Sequence, residues 1–263
     1  MNRKSIIGIL MMKLLDLFSG IGGFSLGMEA TKKIKTIAFC EKDEFCRKVL
    51  KKHWSNIKQY NDIRSINGKE IAADIVSGGF PCQPFSVAGK RKGTEDDRYL
   101  WDEMLRVITE VKPRWVVGEN VQGIINIDNG LVLRQVQTDL EAQGFQVQCF
   151  IIPASSVGAW HQRNRVWIIA NSNPRLSIGE NQEIQARGNT IDSSSSDVSN
   201  SNSNFERQQT WWQTQSSFCG VPNGISYELD KGRTNRIKSL GNAIVPQIAF
   251  EIGKAILAAE EKK

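Results

Sequence analysis

A short apolar run ends in two glycines and in two prolines that bracket a cysteine: Asp74-Ile75-Val76-Ser77-Gly78-Gly79-Phe80-Pro81-Cys82-Gln83-Pro84. The residues from Asp74 to Ser77 predict a short buried β-strand, and the glycines and prolines predict a turn after it. Cys82 would then follow the carboxyl end of a strand, where a loop can direct a thiol into a cleft. An isolated cysteine is most often a small buried hydrophobic residue. Its position makes Cys82 a candidate nucleophile instead.

The segments on both sides of this stretch predict an α/β fold. Short apolar runs alternate with amphipathic stretches over the first 170 residues, which is typical of a parallel sheet covered by helices. The predicted strands are Lys13 to Phe18, Thr36 to Glu41, Asp74 to Ser77, Trp115 to Glu119, Phe145 to Ile152 and Val166 to Ala170. The predicted helices are Phe24 to Thr31, Asp43 to His53, Arg98 to Val111, Leu131 to Gln143 and Gln247 to Glu260.

Four further motifs accompany the cysteine. They are Asp16-Leu17-Phe18-Ser19-Gly20-Ile21-Gly22-Gly23-Phe24, Glu119-Asn120-Val121, Arg163-Asn164-Arg165 and Gly241-Asn242-Ala243-Ile244-Val245-Pro246. In this order they resemble the cytosine-C5 DNA methyltransferase family of bacteria and phages, in which enzymes occur in restriction-modification systems or as orphans. The resemblance covers roughly residues 12 to 170 and 232 to 258.

The resemblance implies a Rossmann-like S-adenosylmethionine-dependent methyltransferase fold with a small, irregular target-recognition insert. We expect an N-terminal extension over residues 1–11 and a catalytic and cofactor-binding domain over residues 12–170. A short and partly mobile target-recognition region is expected over residues 171–235, where serine, asparagine and glutamine dominate. A C-terminal segment, residues 236–263, is expected to return a helix to the catalytic domain.

The implied reaction is methylation of cytosine C5 in DNA. Cytosine C5 is a poor nucleophile, and addition of the Cys82 thiolate to C6 would make it reactive. Negative charge then develops on N3 and O2, and Glu119 is the candidate acid that stabilises it, because a partly buried carboxyl has a raised pKa. Arg163 and Arg165 are candidates to bind the base and the DNA backbone and to lower the pKa of the thiol.

The resemblance also implies S-adenosyl-L-methionine as the cofactor and no metal. A glycine-rich turn after a strand is a weak signal by itself, since it also fits phosphate and dinucleotide sites. The second strand ends at Glu41, a position suited to ribose hydroxyls, and Asp62 is the candidate to bind the adenine amino group. The expected cofactor-binding residues are Phe18, Gly20, Gly23, Glu41, Asp62, Ile63, Leu100 and Asn242.

Composition agrees with a DNA-binding enzyme without proving one. The chain has 263 residues, 40% of them hydrophobic, and a formal net charge of +6, which favours a polyanionic partner. Residues 171–235 hold five basic and seven acidic residues, so the basic excess lies on the rest of the chain. Five scattered cysteines without a Cys-x-x-Cys pair fit a reducing cytoplasm. We expect a cytoplasmic monomer that acts on double-stranded DNA and does not associate with a membrane. A cognate restriction endonuclease would act separately from it.

Two features depart from the family pattern or leave alternatives open. His161 occupies the slot in which the family commonly has glutamine, two residues before Arg163. The insert is short, so the target sequence cannot be read from it. The alternatives are an RNA cytosine-5 methyltransferase and a catalytically decayed DNA-binding protein of the same fold. The cluster Lys90-Arg91-Lys92 fits either a loop that closes over a flipped base or an ordinary solvated surface.

Overall fold

The computed structural model describes residues 11–81, 100–172 and 233–261. Within these ranges the chain forms one seven-stranded sheet with the strand order β3-β2-β1-β4-β5-β7-β6. The strands are β1 Met12–Leu17, β2 Ile34–Cys40, β3 Lys58–Tyr60, β4 Ile75–Gly78, β5 Trp115–Val121, β6 Gln146–Ile152 and β7 Arg165–Asn171. The helices are α1 Gly23–Glu29, α2 Glu44–His53, α3 Trp101–Val111, α4 Leu131–Ala142, α5 Arg233–Asn242 and α6 Pro246–Glu261.

The predicted α/β class is confirmed, and the expectation of a wholly parallel sheet is wrong at one strand. Strands β1 to β5 pair in parallel, whereas β7 pairs antiparallel with both β5 and β6. The segment between β6 and β7 contains only a short 3-10 turn, Ala154–Val157. A parallel neighbour is usually reached through a crossover helix, and this connection has none, so the chain returns in the opposite direction.

Two elements, β3 and α5, were not predicted from the sequence. Strand β3 has only three residues, exposed or half-buried, and lies at the edge of the sheet, so it carries no apolar run. Helix α5 is largely exposed and polar, which hides its 3.6-residue period. Helix α3 starts at Trp101, and the predicted start at Arg98 lies outside the described residues. The expected N-terminal extension is likewise outside them, apart from Met11.

The central strands are buried on both faces because each face of the sheet has its own apolar cluster, whereas the edge strands β3 and β6 are partly exposed. Along β1, Leu15 and Leu17 belong to the cluster under α3 and α4, whereas Met12 and Leu14 belong to the cluster under α1 and α6. This alternation is the period of two that a strand imposes on its side chains. All the parallel strands therefore end at one edge of a covered sheet, where open α/β folds bind ligands.

The last helix packs tightly against the first. A Cβ atom added to Gly27 of α1 would lie 2.1 Å from the carbonyl oxygen of Pro246, and one added to Gly23 would lie 2.7 Å from that of Ile244. At the other end of α6, the Trp115 indole N–H donates to Glu260 over 3.0 Å, and Arg114 also pairs with this carboxylate. These contacts hold the segment before α6 beside the carboxyl edge of the sheet. Among the described helices, none is both long and apolar enough to cross a membrane.

Candidate active site

The turn after β1 has a backbone shape that leaves room for a ligand. Phe18 and Gly20 both have positive φ angles, 50° and 53°, a conformation that is unusual for a bulky residue such as Phe18. Among the described residues, no atom lies within 4 Å of a Cβ added to Gly20, so open space adjoins this peptide in that part of the structure. Gly22, also at positive φ, precedes α1, and a side chain there would collide with Trp54. The turn thus combines close packing on one side with open space on the other.

Glu41 closes this turn from the neighbouring strand. One carboxylate oxygen accepts a hydrogen bond from the Gly20 N–H over 2.7 Å, and the other accepts from the Asp43 N–H over 2.7 Å. The Arg47 guanidinium donates to the Glu41 carbonyl oxygen over 3.1 Å. Both the side chain and the backbone of Glu41 are therefore fixed, and the carboxylate faces the glycine-rich turn as the sequence predicted.

Asp62 and Ile63 follow β3 on the same edge. The Asp62 carboxylate accepts from the Arg64 N–H over 2.9 Å and caps the 3-10 turn Ile63–Ser65. Ile63 is buried in the apolar cluster against which Phe18 and Leu100 also pack. The structure thus brings these predicted cofactor residues together at one edge, with Ile63 below the surface rather than exposed on it.

Two predicted cofactor residues sit differently from the rest. Gly23 faces Ile244 rather than open space, so its missing side chain makes room for the C-terminal segment. Asn242 is exposed at the end of α5. This helix reaches α2 through Ser239, whose Oγ lies 3.4 Å from the Cys46 Sγ, and through Lys238, which lies 3.8 Å from Asp43.

Glu119 lies near the end of β5, with a side chain that is 12% exposed. Its carboxylate lies 3.0 Å from the Arg165 Nε. Burial raises the pKa of Glu119, and the charges of Arg165 and Arg163 only partly oppose that effect. A carboxyl with a raised pKa holds its proton to higher pH and can donate it to a nearby base. The direction of the shift is the one expected from the sequence.

Asn120 ties β5 to the start of the cysteine loop. Its buried side chain donates through Nδ2 to the Phe80 carbonyl oxygen over 2.9 Å, and its Oδ1 accepts from the Val121 N–H over 2.9 Å. Phe80 is itself buried against Trp101. The backbone is therefore fixed two residues before Cys82. Cys82 itself, with Lys90-Arg91-Lys92, lies outside the described residues.

Arg163 and Arg165 have separate partners. Arg165 contacts Glu119, whereas the Arg163 Nη2 donates to the Ala243 carbonyl oxygen over 2.9 Å. Arg163 adopts a strained φ of 36°, and burial and the nearby Arg165 lower its pKa. Arg163 thus joins the C-terminal segment to the edge on which Glu119 lies.

Asp16 is a buried acid at the start of the glycine-rich motif, and no role was predicted for it from the sequence. It is fully buried in β1 and accepts hydrogen bonds from the Ser25 Oγ over 2.8 Å and the Ser77 Oγ over 3.0 Å. Burial raises its pKa to about 7, although both serines oppose the shift. The signal available in the sequence was an acidic residue inside an otherwise apolar strand, with serines in two neighbouring segments.

Replacing Asp16 with asparagine should make the protein relatively more stable at high pH. The folded pKa lies above the ordinary value of 3.8, so the folded state holds more protons and stability falls as the pH rises toward 7. Asparagine has no proton to lose and can still bond both serines. Urea unfolding of both proteins at pH 5 and pH 8 should show the difference between them growing by on the order of 2 kcal/mol in favour of the variant. Parallel stabilities at the two pH values would contradict this.

Comparison with known proteins agrees with the geometry. The family model for C-5 cytosine-specific DNA methylases matches residues 12–220. The Type II methyltransferase M1.ScrFI of Lactococcus lactis subsp. cremoris is 35% identical over 66% of this chain and 44% of its own. M.HhaI of Haemophilus parahaemolyticus, also named a Type II methyltransferase, is 33% identical over 62% of this chain and 50% of its own.

The chain therefore spans about half the length of these relatives. Among solved structures, a triple variant of DNMT2 from Spodoptera frugiperda has a TM-score of 0.57 at 22% identity, over 65% of this chain and 54% of its own. This likeness supports the fold, a mixed sheet with helices on both faces. Because the family model matches well over half of the residues, the chain belongs to the C-5 cytosine-specific DNA methylase family.

Proposed function

We propose that this protein is a DNA (cytosine-5-)-methyltransferase that transfers a methyl group from S-adenosyl-L-methionine to a cytosine flipped out of duplex DNA. The observation that carries the proposal is the arrangement at the end of β5. There the buried Glu119 has a raised pKa and contacts Arg165, while the next residue fixes the backbone that leads to Cys82. An acid and a nucleophile would therefore approach one substrate from adjacent segments.

The cofactor fits the charge of the glycine-rich edge. The pKa of Cys40, at the end of β2, is raised to about 12 by burial and by the nearby carboxylates of Glu41, Asp62 and Asp16. Such an acidic neighbourhood repels phosphate groups, which disfavours a dinucleotide. It suits ribose hydroxyls, an adenine amino group and a cationic sulfonium, all of which S-adenosylmethionine carries. The residues proposed to bind it are Phe18, Gly20, Gly23, Glu41, Asp62, Ile63, Leu100 and Asn242.

In the proposed reaction, the Cys82 thiolate forms a bond to C6 and opens the C5–C6 double bond. Glu119 stabilises the electron density that moves toward N3 by donating its proton or a hydrogen bond there. Arg165 holds the Glu119 carboxyl in place, and Arg163 keeps the C-terminal segment against the site. Bound S-adenosylmethionine would supply the electrophilic methyl group and leave as S-adenosylhomocysteine. After methylation C5 loses its proton to a base, any proton on N3 returns to Glu119, and the C6–S bond breaks to restore both the aromatic ring and the thiolate.

The proposal extends to the setting of the enzyme. It treats residues 12–170 as the catalytic domain and residues 171–235 as the segment that selects the DNA sequence. The relatives are named Type II methyltransferases, which supports a restriction-modification setting. A separate endonuclease that cuts unmethylated DNA belongs to the same proposal. Action as a cytoplasmic monomer is part of the same proposal.

The decisive experiment is transfer of tritiated methyl from S-adenosylmethionine to unmethylated duplex DNA, with bisulfite sequencing of the product. We expect methylated cytosines within one sequence context. Transfer to RNA with no transfer to DNA would replace the proposal with an RNA cytosine-5 methyltransferase. Cofactor binding without transfer to either nucleic acid would indicate a decayed enzyme.

A further inference from the structure

Helix α3 carries a cluster of three charged side chains, and this cluster forms hydrogen bonds with the backbone of the segment after β3. Glu103, Arg106 and Glu110 lie on one face of the helix, and Arg106 bridges the two carboxylates over 2.9 and 3.0 Å. These three residues form what we call the Arg106 cluster. Spacings of three and four residues bring side chains together on a helix. The two ion pairs therefore bring the three side chains together on one face of the helix.

The Arg106 cluster binds three backbone groups of the segment from Asp62 to Glu70. The Arg106 guanidinium donates to the Ile63 carbonyl oxygen over 3.0 Å and to the Ile66 carbonyl oxygen over 3.0 Å. Glu110 accepts from the Gly68 N–H over 2.7 Å. A Cβ atom added to Gly68 would lie 2.7 Å from the Glu110 Cβ, so the backbone approaches the helix closely.

The two carbonyl groups held by Arg106 lie at the start of the 3-10 turn Ile63–Ser65 and directly after it. The same turn is capped by the Asp62 carboxylate through the Arg64 N–H. The position of this turn therefore sets the direction of Asp62 and the depth of Ile63. A planar guanidinium suits this task because it presents several donors in a fixed geometry, which a lysine ammonium cannot reproduce.

We infer that Arg106 is a positioning residue for recognition of the adenine end of the cofactor. It lies on α3, whereas the glycine-rich turn lies between β1 and α1. The inference rests on the proposed function, in which Asp62 binds the adenine amino group. Arg106 acts through the backbone at Ile63 and Ile66, so its loss should impair the choice of base in the cofactor. Glu41, the carboxylate proposed to bind the ribose, is held by hydrogen bonds from Gly20, Asp43 and Arg47. Its position therefore does not depend on the Arg106 cluster.

The experiment compares two ligands without DNA. S-adenosylhomocysteine and its inosine analogue, in which oxygen replaces the adenine amino group, are titrated calorimetrically into the wild type, Arg106→Met and Arg114→Met. The wild type should prefer the adenine compound by about tenfold or more, the value of one charge-assisted hydrogen bond. Arg106→Met should lose most of this preference, and Arg106→Lys should recover only part of it.

Arg114→Met is the matched control. Arg114 is similarly exposed and also pairs with two carboxylates, Asp74 and Glu260, at the opposite edge of the sheet. It should lose stability while keeping the adenine preference of the wild type. An unchanged preference in Arg106→Met, or an equal loss in both variants, would overturn the inference.

A second measurement separates this inference from the proposed function. Hydrogen exchange of the ligand-free protein should be faster at residues 62–70 in Arg106→Met, and unchanged at residues 41–47. Exchange that stays slow at residues 62–70 would refute the positioning role even if Arg106→Met bound its ligands weakly. One further outcome is that the wild type binds neither compound, while residues 62–70 still exchange faster in Arg106→Met than in the wild type. That result would refute the cofactor assignment and leave the structural role of Arg106 standing.

Discussion

Cys82→Ser should lower the rate of methyl transfer to DNA by at least about ten-thousandfold. A serine hydroxyl is far less acidic than a thiol and does not form the anion that must add to C6. The backbone that leads to the cysteine is fixed, because Asn120 binds the Phe80 carbonyl oxygen two residues before it. The measurement is tritiated methyl incorporation under single-turnover conditions, with cofactor binding checked in the same preparation.

The control for this variant is Cys149→Ser. Burial raises the pKa of Cys149 to about 11, so it is not a reactive thiol, and it lies in the edge strand β6. That variant should keep the wild-type rate. A duplex with 5-fluorocytosine at the target should trap the wild type covalently, because fluorine cannot leave C5 as a proton does. A covalent adduct formed by Cys82→Ser would identify another nucleophile.

Glu119→Gln should lower the rate of methyl transfer by about a hundred- to ten-thousandfold, the usual contribution of a positioned general acid. Glutamine keeps an oxygen that accepts from the Arg165 Nε and therefore preserves the local geometry, but it has no acidic proton. The pH profile carries the more specific expectation. Burial raises the pKa of Glu119, so the wild-type rate should fall as the pH rises through that pKa and the active protonated form is lost.

In Glu119→Gln this fall at high pH should disappear, leaving a slow rate limited at low pH by ionisation of the thiol. Glu260→Gln is the matched control, since Glu260 is also a largely buried carboxylate paired with an arginine, at the other end of the molecule. It should leave the pH profile unchanged. A Glu119→Gln profile with the same high-pH limb as the wild type would assign that limb to another group.

The sequence predicted those parts of the fold that local patterns determine. The strand before Cys82, the glycine-rich turn after β1 and the four helices of the first 170 residues follow from apolar periodicity and from glycine and proline. The reversed direction of β7 goes with a connection that lacks a crossover helix, and the apolar pattern of a strand does not show its direction. Strand β3 and helix α5 lacked an apolar pattern and were missed for that reason.

The site was predicted less completely than the fold. Glu119, Arg165 and the carboxylates of Glu41 and Asp62 are motif residues, and the structure brings Glu119 against Arg165 as a pair. Contacts with backbone groups distant in the sequence left no local signal. Asn120 binds a carbonyl 40 positions earlier, and Arg106 binds one 43 positions earlier. Asp16 stood out as an acid in an apolar strand, but its partners could not be assigned from the sequence, because its hydroxyl partners come from α1 and β4.

The packing of α6 against α1 has a consequence for how the chain is synthesised. Helix α1 is synthesised more than 200 residues before the helix that fits against its glycines. Until then only the face of α1 that packs on the sheet can find its partners, and contacts that span so much sequence form slowly. A ribosome that stalls before residue 246 would release a chain that cannot complete its own site. Completion of the site would therefore wait until residue 246 and the helix that follows it have been synthesised.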